Sequence, residues 1–307
     1  MVEIAEEGEN MKGVYRKKVK DRMFVASLLI IPLLHFVIFW AYVNFSSIAL
    51  AFQTSTGSFT LANFSLFFQE LALPDSVVGS AIVNTLKYFA LNLLGIIPLS
   101  MIFSFFLYKK ILFYKYYRVV FFLPSIISAV ILTSLYSYLI APTGFFGKIW
   151  TALSGAEKTP IFLADSRYAT NAILLYCLWT GFGVNLILFN GAMSRIPAEV
   201  IESAKLDGVG FFREFVYFVI PLIWSTISTV LTLAVVGIFT SSGPILLFTQ
   251  GNFDTFTLGY WIYDKVASYN SNFQYASAVG LVFTVLGMPI ALGARWFLNR
   301  FGNGVEY

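Results

Sequence analysis

Residues 195–221 read RIPAEVIESAKLDGVGFFREFVYFVIP, a polar segment set between two long apolar stretches. Pro197 suits the first turn of a helix, and Glu199 lies where the positive end of a helix dipole favours an acid. Apolar side chains three and four positions apart follow, which is typical of a helix with one covered face. Gly208 and Gly210 then supply a sharp stop. The pattern therefore predicts a short helix that begins near Pro197 and ends near Gly208.

A second short amphipathic stretch, residues 211–218, leads to Pro221 at the entrance of the next apolar stretch. Together the two stretches predict a helix–turn–helix that lies on a surface and presents small residues to another protein. A plain surface loop explains the same residues, so the segment does not decide between the two by itself.

The composition places this segment in a membrane protein. Of 307 residues, 58% are apolar and 36 are charged, 20 basic and 16 acidic, and the mean hydropathy is +0.77. A water-soluble core could not cover so much apolar surface with so few charged side chains. One cysteine (Cys177) and one histidine (His35) exclude an internal disulfide framework, a cysteine-based zinc cage and a histidine cluster.

The apolar stretches predict an all-α polytopic protein with six transmembrane helices, because a bilayer core requires about 20 apolar residues per helix. The first helix is predicted at 24–45. It is too long, and lacks the cleavage site, for a secretory signal. The other five are predicted at about 80–107, 118–140, 171–191, 216–248 and 275–298. The span at 216–248 is too long for a simple perpendicular helix, so we expect it to be tilted, broken or projecting from the membrane.

Basic residues orient the spans. The first 23 residues, the 2–3 and 4–5 connections and the C-terminal end hold 15 Lys and Arg, whereas the opposite side holds four. Both termini are therefore predicted to be cytoplasmic. The segments are then a cytoplasmic tail (1–23), the first helix (24–45), an extracytoplasmic connection (46–79), a core (80–300) and a C-terminal tail (301–307). The net charge of +4 fits this orientation, so we expect no nucleic acid partner.

The spans lack the groups that would drive transport from within the chain. None of the 16 acidic residues falls inside a predicted span, which disfavours ion coupling. Lys87 can snorkel to the outer interface, and His35 can pack against a neighbouring helix. Residues 144–149 lack the spacing and the hydroxyl of a phosphate-binding loop. Energy for uphill transport would have to come from another subunit.

The segment at 195–221 resembles the EAA loop of permease subunits in binding-protein-dependent ABC importers. The family pattern is Glu-Ala-Ala, three residues, Gly, nine residues and Ile-x-Leu-Pro. This chain has Glu202-Ser203-Ala204, three residues, Gly208, nine residues and then residues 218–221, with departures at Ser203, Phe218 and Ile220 and the spacing intact. Further matches to the carbohydrate, maltose-type branch of the MetI-like superfamily lie at 196–197, 206–208, 179–182, 248–251 and 275–278.

The resemblance implies a type I importer (MetI-like) core of five helices over 80–300, preceded by an added first helix. It implies that the EAA loop docks on a separate ATPase subunit and carries its movement into the spans, so that a bulky or charged residue at Gly208 would uncouple ATP hydrolysis from uptake. The implied coupling residues are Glu199, Glu202, Ser203, Ala204, Asp207, Gly208 and Pro221.

The same resemblance implies the partners. They are a second, homologous permease subunit in a heterodimer, two ATP-binding subunits, an extracellular or periplasmic solute-binding protein, the lipid bilayer and a carbohydrate substrate. No catalytic residue, metal site or cofactor is expected in this chain, because ATP and Mg would be bound by the partner ATPase. The implied location is the bacterial cytoplasmic membrane.

Candidate pathway residues follow from aligning spans four and five with maltose-type relatives. Residues 240–244 support the alignment, because a polar stretch interrupted by Gly and Pro can line a cavity within a long apolar helix. Helix–helix packing explains the same small and polar residues equally well. The candidates are Trp179, Thr180, Gly181, Val184, Asn185, Gly237, Ile238 and Ser241.

Three other classes remain as alternatives. The first is a stand-alone facilitative or ion-coupled solute carrier. Such carriers usually have intramembrane carboxylates and an internal repeat, and neither is evident in this sequence. A membrane enzyme would have Cys177 as its one thiol, for which inert packing is the default. A structural scaffold would leave the EAA-like spacing unexplained. The sequence does not decide which sugar is carried or whether it is charged.

Overall fold

The computed structural model describes residues 20–155, 158–268 and 272–301. Within these ranges the chain is helical, and the β interactions amount to an isolated bridge between Gln53 and Phe59. The all-α prediction is therefore confirmed for the described residues. Most of the predicted tails, 1–23 and 301–307, lies outside them.

Fourteen α-helices are described within these ranges. In chain order they are α1 (Lys20–Ala51), α2 (Ala62–Leu71), α3 (Val77–Tyr108), α4 (Tyr114–Ile126), α5 (Ala129–Ile140), α6 (Phe145–Ser154), α7 (Ala169–Thr180), α8 (Phe182–Met193), α9 (Ala198–Leu206), α10 (Phe211–Leu222), α11 (Trp224–Val236), α12 (Ile245–Phe248), α13 (Leu258–Ala267) and α14 (Phe273–Phe301).

Five helical stretches in the described ranges are long and apolar enough to cross a membrane, and a sixth arises if one bent pair is counted as a single span. The five are α1, α3, α5 with α6, α7 with α8, and α14. The predicted third span, 118–140, is broken at residues 127–128 into α4 and α5. The reason is local: Pro124 lies in the last turn of α4, and Ile127 and Ser128 adopt extended ψ angles of 142° and 134°.

The bent pair is α10 with α11, whose axes differ by 74°. Pro221 is the second-to-last residue of α10 and removes a backbone donor there. Residues Phe215–Val219, just upstream, form a π-helical turn, and the helix ends at Leu222 with Ile223 as its C-cap. A second interruption follows α11 at residues 237–244. The long predicted span at 216–248 is therefore broken, which was one of the three expected outcomes.

One end of the bundle is tied together by buried polar side chains. Asn84 on α3 donates to the backbone carbonyls of Asp254 and Phe256, at 2.8 and 3.0 Å. The hydroxyl of Thr170 on α7 donates to the carbonyl of Asp254 at 3.2 Å. These bonds place the 249–257 loop against the N-terminal halves of α3 and α7. Lys87 is exposed beside them and donates to the side-chain oxygen of Asn84 at 3.3 Å.

The opposite end joins the basic connections. Lys109, directly after α3, forms a salt bridge with Glu214 on α10, and the indole N–H of Trp224 donates to the carbonyl of Leu298 at 3.1 Å. The 2–3 connection, the 4–5 connection and the end of α14 thus share one end of the bundle. This is the grouping that the count of Lys and Arg requires.

Candidate functional site

Helix α9 forms as its residues predict. Pro197 precedes it with a φ of −58°, Glu199 lies in its first turn and Lys205 in its last, each complementary to the helix dipole. The helix ends in hydrogen bonds from Gly208 N–H to the Lys205 carbonyl and from Val209 N–H to the Ala204 carbonyl. Gly208 has a φ of +73°, a left-handed conformation that glycine adopts without a Cβ penalty.

The inner face of α9 is anchored in the chain's own core. Ile201 and Ala204 are buried, and Ile201 belongs to an apolar cluster that combines α3, α8, α10 and α11. The ring of Phe105 on α3 lies 4.7 Å from Phe215 and 4.8 Å from Phe211 on α10. Ile201 therefore attaches α9 to a close-packed cluster shared by these four helices.

The outer face of α9 carries the acidic residues. Glu199, Glu202, Ser203, Asp207 and Gly208 are exposed. Ala204, by contrast, is 2% exposed, so it serves packing within the chain and is absent from the face that a partner would meet. This corrects the expectation that Ala204 contributes a small docking surface.

Leu206 is the residue on this face that sequence reasoning missed. Its side chain is 89% exposed, surrounded along the helix by Glu202, Ser203 and Asp207. The signal was available, since the inward strip of Ile201 and Ala204 places Leu206 on a different side of a 3.6-residue helix. Leu206 is therefore an exposed apolar side chain among three exposed carboxylates, with the exposed Lys205 next to it.

A largely buried ion pair connects the end of α3 to α10. Lys109 Nζ lies 2.5 Å from the carboxylate of Glu214, and the two side chains are 17% and 4% exposed. The same ammonium lies 5.7 Å from the centroid of Phe105. Pro221, another predicted coupling residue, lies two turns further along α10, next to the bend at Ile223.

Gly208 offers a direct test of the helix terminus. We expect Gly208→Val to weaken α9 by about 1–2 kcal/mol, because a β-branched residue strains the left-handed conformation. Gly208→Asn should cost clearly less, since Asn tolerates that region. A Cβ at Gly208 meets nothing within 4 Å, so crowding cannot cause the difference. Thermal unfolding of the purified chain measures it; equal melting temperatures for the two variants would contradict the explanation.

A cavity of about 270 Å³ opens among α3, α7 and the end of α11. Among the residues that the structure describes, no charged side chain lines it. Its lining residues are Thr85, Tyr88, Phe89, Leu91, Asn92, Ile96, Tyr176, Cys177, Thr180, Gly181, Ala234, Gly237, Ile238, Ser241, Gly243 and Pro244.

Five of the eight predicted pathway residues meet in this cavity, although they come from two separate spans. They are Thr180, Gly181, Gly237, Ile238 and Ser241. Gly181 also permits close packing at the α7–α8 junction, since a Cβ there would lie 2.7 Å from the side chain of Ile96.

The other three predicted residues do not line the cavity. Trp179 stacks on Tyr136 of α5 with ring centroids 6.5 Å apart. Val184 is exposed and Asn185 is half-buried on α8. The cavity residues on α3 were not predicted from the sequence. The signal that could have identified them is a stripe of polar side chains within an apolar helix. Thr85, Tyr88 and Asn92 recur three and four positions apart and so share one helix face.

Comparisons with known proteins agree on one family. The family model described as binding-protein-dependent transport system inner membrane component matches residues 92–305. The chain is 23% identical to the arabinooligosaccharides transport system permease protein AraP of Bacillus subtilis, over 91% of this chain and 88% of that protein. It is 26% identical to the multiple sugar-binding transport system permease protein MsmF of Streptococcus mutans, over 90% and 96%.

A solved structure shares the fold. The crystal structure of a bacterial ABC transporter involved in the import of the acidic polysaccharide alginate contains a chain that matches with a TM-score of 0.80. The match covers 93% of this chain and 98% of that one, at 22% identity. A second structure of the bacterial alginate transporter, in complex with an alginate pentasaccharide-bound periplasmic protein, matches equally well.

Proposed function

Since the chain belongs to the family of binding-protein-dependent transport system inner membrane components, we propose that it is the permease subunit of an ABC importer for a sugar or oligosaccharide. It forms half of the translocation pathway, and ATP hydrolysis takes place in separate subunits. The observation that carries this proposal is the exposed α9 surface, which combines the family's motif spacing with a rigid anchor in the transmembrane core.

The coupling step follows from the two faces of α9. Leu206 inserts into a cleft on the ATPase subunit, and the carboxylates of Glu199, Glu202 and Asp207 surround it. Ile201 then passes the displacement to the apolar cluster of α3, α8, α10 and α11. Because that cluster is close-packed, the helices move together as a rigid group.

The solute crosses beside the interrupted helix that follows α11. Thr180, Gly181, Gly237, Ile238 and Ser241 contribute to a wall with freed backbone groups and small polar side chains. Trp179, Val184 and Asn185 lie on neighbouring surfaces that a second, homologous permease would cover. A heterodimer would complete the pathway, since this chain encloses one wall of it.

The remaining partners follow from the family. Two ATP-binding subunits bind ATP and Mg, and a solute-binding protein delivers the sugar on the outer side. Among the residues that the structure describes, no group of three His, Cys, Asp or Glu side chains could hold a metal ion. The chain spans the bacterial cytoplasmic membrane six times, with both termini inside, a first helix at 24–45 and a five-helix core over 80–300.

The proposal is tested by tagging this chain, extracting it gently from its native membrane and identifying its companions by mass spectrometry. We expect an ATPase and a second permease in near-equal amounts. Recovery of the chain alone, still able to carry solute after reconstitution, would instead establish a stand-alone carrier.

A further inference from the structure

Tyr88 on α3 forms part of the cavity wall. Its side chain is 8% exposed. Gly243, in the interruption after α11, has a φ of +56°, and a Cβ at that position would lie 3.2 Å from the ring of Tyr88. The tyrosine ring therefore packs against the segment at 237–244, which interrupts the fifth span.

The hydroxyl of Tyr88 is buried and has no hydrogen-bond partner within the described part of the chain. A buried donor without a partner is unfavourable relative to a satisfied one, so buried hydroxyl groups are usually hydrogen-bonded. Two other tyrosines of this protein are satisfied in comparable surroundings. Tyr136 donates to the carbonyl of Ala172 at 2.7 Å, and Tyr275 donates to the carboxylate of Glu70.

The surroundings of Tyr88 define the chemistry of a missing partner. The same wall contains amide and hydroxyl side chains, among them Asn92, Thr180 and Ser241, and none of the described residues that line it is charged. A phenol needs an oxygen acceptor, and an uncharged wall gives no compensation for burying an anion. A hydroxyl or ring oxygen of a neutral carbohydrate meets both conditions.

We propose that Tyr88 is a further solute-contacting residue, whose hydroxyl donates to an oxygen of an uncharged carbohydrate when the segment at 237–244 moves away. This inference rests on the proposed importer function and adds the second transmembrane helix to the pathway. The unpaired hydroxyl raises the free energy of the empty state, and the solute-bound state relieves it. The solute thereby favours the conformation in which the hydroxyl is uncovered.

The experiment compares Tyr88→Phe with Tyr136→Phe in the complete transporter, purified with its companions and reconstituted in vesicles. ATP-driven uptake is measured with arabinotriose, lactose and diacetylchitobiose as uncharged probes and with digalacturonate as an anionic probe. Each variant loses one hydroxyl from a buried ring, so the two are matched in size and burial. Melting temperatures are recorded in parallel.

We expect Tyr88→Phe to raise the half-saturating concentration of an uncharged probe, or to lower its uptake rate, by about three- to tenfold. Its melting temperature should stay at or above that of the wild type, because no hydrogen bond is lost. Tyr136→Phe should lower the melting temperature and leave the half-saturating concentration unchanged.

Unchanged uptake by Tyr88→Phe, alongside normal wild-type import of an uncharged probe, would overturn the inference. So would a wild-type transporter that carries the anionic probe alone, and in both cases the importer function would stand. Uptake of a probe that is equal with and without ATP would overturn the importer function and this inference together.

Discussion

Leu206→Asp is expected to lower ATP-driven uptake by at least tenfold while leaving the fold of the chain intact. Burial of a leucine side chain contributes about 1.5–3 kcal/mol, which corresponds to roughly ten- to hundredfold in docking affinity. The variant also adds a fourth carboxylate to a surface that already carries Glu199, Glu202 and Asp207. The measurement is sugar uptake by the reconstituted complex, together with the amount of ATPase that co-purifies with the chain.

Leu206→Met is the matched control, because methionine nearly conserves the volume and apolar character of leucine. It should retain most of the uptake. The melting temperature of Leu206→Asp should equal that of the wild type, since the side chain is 89% exposed within the chain. Full uptake by Leu206→Asp would show that Leu206 does not contribute to the docking surface.

Lys109→Met is expected to destabilise the chain by about 3–5 kcal/mol and to abolish transport. It leaves the Glu214 carboxylate buried without its partner, and an uncompensated buried charge is far more costly than the loss of the pair as a whole. Because Glu214 links α10 to Lys109 at the end of α3, the paired ends of these helices should separate. Thermal unfolding and uptake by the reconstituted complex measure the two effects.

The double variant Lys109→Met/Glu214→Leu distinguishes two effects: the cost of leaving the Glu214 carboxylate buried without a partner, and the net contribution of the ion pair to stability. We expect it to regain most of the lost stability, since apolar replacements of buried ion pairs are often neutral. Arg167→Met is a control that breaks an exposed ion pair, and it should leave stability and uptake unchanged. In that pair, hydrogen bonds from Arg167 lower the pKa of Asp165. A Lys109→Met chain as stable as the wild type would refute the explanation.

The helical elements of the coupling segment could be predicted because local chemistry determines them. Proline before α9, an acid in its first turn and glycine after its last turn fix its ends, and the structure has them at Ala198 and Leu206. The two ends of the bundle could also be sorted from charge, since Lys109 and Glu214 do join two of the basic connections.

Features that depend on contacts between distant segments could not be predicted. Ala204 was expected on the docking surface, but it faces inward because the cluster around Ile201 covers that side of α9. The contribution of α3 to the cavity was not predicted. Thr85, Tyr88 and Asn92 form a polar stripe in an apolar helix, but the sequence does not tell which other segments this stripe faces. Span 118–140 was predicted as continuous, although Pro124 in the last turn of α4 marked the break.

The most direct test of the account is whether uptake depends on ATP hydrolysis by a companion subunit. The complex is reconstituted in sealed vesicles with its solute-binding protein, and sugar accumulation is followed with ATP, without ATP and with a companion ATPase that cannot hydrolyse ATP. We expect sugar accumulation only when both ATP and an active ATPase are present. Equal accumulation under all three conditions would contradict the account and would identify the chain as a carrier that works without an ATPase.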